Sequence, residues 1–265
     1  MMAEGSDPPA GADVTDDAFL DGQLRILQPR QGYRAGVDAV LLAATVPPVD
    51  RPARVLDAGA GVGTVGLSVA RRIPAARVVL LEAEAGMAAL ARENISRNGL
   101  GERVTLVEAD LLAPPLDLAR LGVGADSFDR VLANPPYHTD GRGTPAGDGA
   151  KARAHAMAMS DLEHWLRVVA RVTASGGTAT IIHKAEALGA LLAAASRRLG
   201  AIKVLPIHPR EGQPAHRVIV SGVKGSRAPS RLLAGFTLHG PGNAFLPRAE
   251  AILRRGEWLD LDAAI

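Results

Sequence analysis

The segment Val55–Gly66, VLDAGAGVGTVG, constrains the fold more than any other part of this 265-residue chain. A short apolar run, Arg54–Asp57, leads into Gly59, Gly61 and Gly63, and helical spacing follows near Thr64–Arg72. Glycines at such a point let the backbone turn tightly and approach a ligand, and the helix beginning there offers unpaired amides. The strand–helix alternation then continues. Arg77–Glu82 reads as a strand and Gly86–Asn98 as a helix stopped by Gly99. Val104–Asp110 and Phe128–Ala133 read as strands, and Asp161–Thr173 as an amphipathic helix with Ser160 at its N-cap. Thr178–His183 is a strand, Ala185–Leu199 a helix, and Ile202–Pro206, Val218–Val223 and Phe236–His239 are closing strands. This alternation predicts an α/β fold, a doubly wound and mostly parallel sheet covered on both faces.

Residues 1–17, acidic and rich in Gly, Pro and Asp, read as a disordered leader, and residues 18–265 as one domain. Gly, Asp and Ala crowd the interior loop His138–Gly149, which has neither periodicity. The chain contains no cysteine, which excludes disulfides, thiolate metal sites and cysteine nucleophiles. Neither a signal peptide nor a run of spanning length is visible, so a cytoplasmic location is expected. Thirty basic residues against 28 acidic ones permit a polyanionic partner without demanding one.

The glycine turn points to a nucleoside ligand. Glu82 ends the next strand, where a carboxylate can accept ribose hydroxyls, and Asp110 ends the one after, where it can take an adenine amino group. Gly61, Gly63 and Gly66 also satisfy G-x-G-x-x-G with Glu82 following, so a dinucleotide remains open on this segment alone, as does a bare turn.

Asn134-Pro135-Pro136-Tyr137, at the carboxyl end of FDRVLA, decides between them. Strand ends of this kind face the ligand crevice. An exocyclic amine is a poor nucleophile because its lone pair is delocalised into the ring. The Asn134 amide oxygen and the Pro135 carbonyl can hold its two hydrogens and draw the nitrogen toward tetrahedral geometry. The prolines stiffen the turn, so the acceptors are preorganised. Tyr137 offers a flat face on which an extruded base can stack. A dehydrogenase has no use for this tetrapeptide.

With these residues the sequence resembles the class I S-adenosylmethionine-dependent methyltransferases of the N-P-P-Y type, and more closely the bacterial tRNA(Val) adenine-N6 methyltransferases, from Leu20 to about Leu261. The resemblance implies a Rossmann-like seven-stranded sheet with its last strand antiparallel. It implies S-adenosylmethionine as cofactor, with Asp57, Gly59, Gly61, Glu82, Asp110 and Asn134 around it. In the entry segment QPRQGYRAGVDAVLLA, Tyr33, Arg34 and Asp38 would flank the cofactor, and Ala39–Ala43 would begin a helix over the sheet. Asn134, Pro135 and Tyr137 would serve the transfer, and Pro136, Tyr137, Arg153, His155 and Lys224 would contact the substrate. AEAILR would belong to a closing helix. Ala156 follows Ala154-His155 where the family tends to carry an acid, which leaves the substrate open.

The expected partner is RNA, most specifically tRNA, bound by a monomer or homodimer. Two basic groups, one around Arg142, Lys151, Arg153 and His155 and one spanning His208 to Arg227, could neutralise phosphates or be scattered solvated charges. The seven histidines lack ligand spacing, so no metal is expected. Trp165 and His183 read as core or supporting residues. Two rivals stay open: methylation of a protein glutamine or small molecule, and a non-catalytic nucleoside- or RNA-binding module.

Overall fold

A computed structural model describes residues 13–32, 34–135 and 162–263. The chain opens with strands β1 (Val14–Phe19) and β2 (Leu24–Pro29), an antiparallel hairpin apart from the main sheet. Residues 14–17, expected in a leader, therefore form most of a paired strand. Their acidic side chains are held there by arginines, Asp16 by Arg25 and Arg97 and Asp17 by Arg34.

Helix α1 (Val37–Ala44) leads to strand β3 (Ala53–Ala58), helix α2 (Thr64–Arg72), strand β4 (Ala76–Glu82), helix α3 (Ala85–Arg97) and strand β5 (Val104–Glu108). Helix α4 (Pro115–Arg120) and strand β6 (Phe128–Ala133) follow, then helix α5 over residues 162–172 and strand β7 (Thr173–Lys184). Helix α6 (Leu188–Ala195), strands β8 (Leu199–Arg210), β9 (Arg217–Lys224), β10 (Arg231–Leu232) and β11 (Phe236–His239), and helix α7 (Pro247–Arg255) complete the described chain.

Among the described residues, nine strands form one sheet in the order β10-β8-β9-β7-β6-β3-β4-β5, with β11 also paired to β8. Strands β5, β4, β3, β6 and β7 run parallel, and β9 is antiparallel to both β7 and β8. The expected seven strands with an antiparallel last member are all present, and β10 and β11 extend the edge beyond β8. Helices α1, α2, α3 and α7 cover one face and α4, α5 and α6 the other, each over its own apolar cluster. The sheet is therefore doubly wound. Central β3 and β4 bury residues on both faces, which explains their nearly unbroken apolar runs.

After β3 the chain moves outward to β4 and β5, then returns to β6 on the other side of β3. The carboxyl ends of β3 and β6 consequently flank a topological switch point, where open α/β sheets bind ligands.

Candidate active site

The turn after β3 is built on β4. The amides of Gly59 and Ala60 both donate to the Leu81 carbonyl at 2.9 Å. Gly59, Gly61 and Gly63 have φ of +69°, +55° and +88°, left-handed values that favour glycine. A Cβ at Gly59 would also lie 2.3 Å from Cη2 of Trp165, whereas one at Gly61 would meet nothing within 4 Å. The first glycine lets an indole close on the turn. The second leaves the backbone bare toward a cavity of about 350 Å³.

That cavity unites residues from four strand ends. Gly59 and Gly61 line it beside Glu82, Asp110, Asn134, Met87 and Trp165, with Leu81, Ala109 and Leu111 making its apolar walls. Glu82 Oε2 accepts the Gly61 amide at 2.7 Å, and Oε1 accepts the amides of Ala83 and Glu84 at 2.9 and 2.8 Å. A carboxylate offers roughly four lone-pair positions, so this one is pinned yet can take one further donor without releasing an amide. Asp110 is exposed and accepts the Leu112 amide at 2.8 Å, which fixes its carboxylate at the mouth. Asn134 follows β6, is 8 % exposed and faces the same cavity, and Pro135 beside it is buried.

A cleft with a bare glycine backbone, an acid at the end of each of two neighbouring strands and apolar walls fits a nucleoside carrying a small polar tail. The two acids match ribose hydroxyl and adenine amino donors, and the glycine turn admits the tail. A polar amide at the end of a third strand adds an acceptor beside it.

Several expected residues lie elsewhere. Asp57 does not line the cavity: it is 1 % exposed and its carboxylate accepts the Gly66 amide at 2.8 Å, bracing the first turn of α2. Burial pushes its pKa up to about 7, against the lowering effect of the Gly66 amide and with a smaller raising effect from the Glu82 charge. Arg34 is clasped by the hairpin, donating to Thr15 Oγ1, the Pro29 carbonyl and Asp17. Asp38 pairs with Arg217 at 2.8 Å. Neither Arg34 nor Asp38 lines the cavity.

Lys224 is a clear correction. Because β9 runs antiparallel, its last residue lies where the parallel strands begin, at the end opposite the crevice. There the ammonium binds the Arg171 and Thr173 carbonyls and pairs with Asp126. The late basic group is thereby split: Arg210 and Arg217 sit at the crevice end of their strands, Lys224 at the other end of β9 and Arg227 beyond it. Tyr33, Pro136, Tyr137, Arg153 and His155 lie outside the described residues.

Trp165, expected as a core or supporting residue, packs against the apolar cluster beneath α4, α5 and α6 and also lines the cavity. Helical spacing put it on α5, but only the tertiary fold sets that face of α5 against Gly59. Met87 and Glu84 were missed, since they reach the cavity through the start of α3, which Glu84 caps by accepting the amides of Gly86 and Met87. Among the described residues no group of three His, Cys, Asp or Glu could hold a metal ion, and no helix is long and apolar enough to cross a membrane.

Residues 35–160 match the methyltransferase small domain family. A tRNA1(Val) (adenine(37)-N6)-methyltransferase of Bacteroides thetaiotaomicron is 30 % identical over 205 residues, covering 77 % of this chain and 82 % of that protein. A release factor glutamine methyltransferase of Caulobacter vibrioides is 37 % identical over 119 residues, 45 % of this chain and 37 % of that protein. The crystal structure of a predicted O-methyltransferase from Agrobacterium tumefaciens superimposes with a TM-score of 0.71 at 29 % identity, covering 85 % of this chain and all of that one.

Proposed function

Because this chain belongs to the family of bacterial tRNA1(Val) adenine-N6 methyltransferases, and is thus an S-adenosylmethionine-dependent methyltransferase, we propose that it methylates the exocyclic amine of an adenine in tRNA. The observation that carries this reading is Asn134 at the end of β6, facing the cavity that Gly59, Gly61, Glu82 and Asp110 share.

Bound in that cavity, S-adenosylmethionine supplies an electrophilic methyl carbon on a sulfonium. Glu82 would hold a ribose hydroxyl, Asp110 the adenine amino group, and the bare backbone at Gly59 and Gly61 the methionine portion. Asn134 and the Pro135 carbonyl would accept the two hydrogens of the target amine and turn its lone pair toward the methyl carbon. The sulfonium would itself serve as leaving group, so the chain's residues would have only to hold the amine nitrogen in line with the methyl carbon. The amine's proton leaves to water. No strong general base is needed, and the chain's contribution is positioning and electrostatics. A base in a single-stranded loop is the cheapest to extrude into such a site.

The release factor glutamine methyltransferase, 37 % identical over a 119-residue segment, favours a second reading, transfer to a glutamine side-chain amide. Labelled methyl transfer to total RNA, protein and metabolite fractions, followed by nucleoside analysis, separates the two. Label in N6-methyladenosine of tRNA supports the adenine reading, and label confined to protein overturns it.

A further inference from the structure

Two asparagines four residues apart, Asn94 in the last turn of α3 and Asn98 at its C-cap, take the place of a neighbour strand for the hairpin. Among the described residues, strand β2 pairs with β1 on one side only. On its other side, the Leu27 amide donates to Asn94 Oδ1 at 2.7 Å, and Asn94 Nδ2 donates to the Leu27 carbonyl at 2.9 Å. Four residues on, Asn98 makes the same pair of bonds to Arg25, at 3.0 Å from its amide and 2.7 Å to its carbonyl. The spacings agree: four helical residues rise about 6 Å, and two strand residues about 6.6 Å. Each side-chain amide presents the donor and acceptor of a peptide group, so the pair closes the open edge of β2.

The two asparagines differ in where the second Nδ2 hydrogen goes, and Asn98 gives its own to the Asn94 carbonyl at 2.8 Å. The second hydrogen of Asn94 Nδ2 goes to the Val62 carbonyl at 3.0 Å, in the middle of the glycine turn, and Asn94 is fully buried. The Val62 carbonyl belongs to the peptide that joins Val62 to Gly63, one residue beyond the Gly61 amide held by Glu82. We infer that Asn94 is a positioning residue for the cofactor: it couples the docked hairpin to the glycine turn and holds that turn in its ligand-ready shape. Asn98 supplies the clamp without the coupling. This inference rests on the assignment of the cavity to S-adenosylmethionine.

Calorimetric binding of S-adenosylmethionine and S-adenosylhomocysteine to the full chain tests it, with Tm measured alongside. Asn94→Ala and Asn98→Ala should both lower Tm. Asn94→Ala should weaken both ligands about fivefold, the worth of one hydrogen bond near 1 kcal/mol, while Asn98→Ala leaves both Kd values within twofold. If Asn94→Ala fails to fold, Asn94→Ser gives the same comparison, since its hydroxyl cannot span both Leu27 and Val62. Unchanged affinity in the Asn94 variant, or an equal loss in both variants, overturns the coupling. Absence of binding by the parent chain would instead remove the cofactor assignment.

Discussion

The Gly61 amide donates to Glu82 Oε2 at 2.7 Å, tying the middle of the glycine turn to the end of the adjacent strand. The other carboxylate oxygen takes two more amides, from Ala83 and Glu84. The same side chain thus shapes the turn and faces the ligand cavity.

Glu82→Gln should therefore harm binding more than loss of a charge alone suggests. Its NH2 group must face either the Gly61 amide or those of Ala83 and Glu84, two donors against each other. Cofactor affinity should fall about 10- to 100-fold, the range of a hydrogen bond to a charged group. Calorimetry with S-adenosylhomocysteine measures this, and an unaltered Kd would show that Glu82 does not touch the ligand.

Gly59→Ala should be destabilising for two reasons. The residue sits at φ +69°, costing roughly 1–2 kcal/mol for a side chain, and its Cβ would collide with the Trp165 ring. Trp165→Leu should relieve the second part only. In thermal melts the double variant should be more stable than the sum of the single losses predicts. Strict additivity would mean that the indole does not press on the turn.

Asp57 should give the protein a pH-dependent weakness. Its folded pKa, pushed up to about 7 by burial, lies above its ordinary 3.8, so between these values the folded state keeps a proton that the unfolded chain has lost. Stability from this group is fully present below about pH 4, declines as pH rises toward 7, and is flat above. Asp57→Asn keeps an oxygen for the Gly66 amide and removes the titration. Urea unfolding from pH 4.5 to 8 should show a smaller decline in the variant, and parallel curves would refute the assignment.

Lys224→Gln should lower Tm, since the ammonium satisfies two carbonyls and Asp126, yet leave cofactor Kd and the KM for RNA within about twofold of the parent's, a change below 0.5 kcal/mol. A selective rise in the KM for RNA would return Lys224 to the substrate surface.

The contrast between Asp110 and Lys224 shows what the chain reveals in one dimension. Parallel strands buried on both faces give apolar runs closed by turn residues, so the ends of β3 to β6, and with them Gly59, Glu82, Asp110 and Asn134, are readable directly. Lys224 requires the direction of β9, which no local pattern carries. Strand β1, VTDDAF, alternates with acids on a two-stranded ribbon, and its acidic residues mimic a solvated leader. The turn after it carries the hairpin pair Asp21-Gly22, but it begins at Leu20, an apolar residue at positive φ like the two that follow, so the local pattern does not mark where the strand stops. Strand β8 spans Leu199–Arg210, longer than the expected Ile202–Pro206, because Gly200 and Pro206 read as stops while the sheet absorbs the former in a register shift. Asp57 has the right spacing for a ligand contact, and only its burial shows that it braces α2.

The account stands on Asn134 acting on the target amine more than on the cofactor. Its most direct test is Asn134→Ala, assayed for methyl transfer to tRNA adenine and, separately, for S-adenosylhomocysteine binding. Transfer should fall by about 10²-fold or more, the typical loss of one preorganised acceptor or donor, with Kd altered only a few-fold. Undiminished transfer, or a loss explained wholly by weaker cofactor binding, would contradict the account.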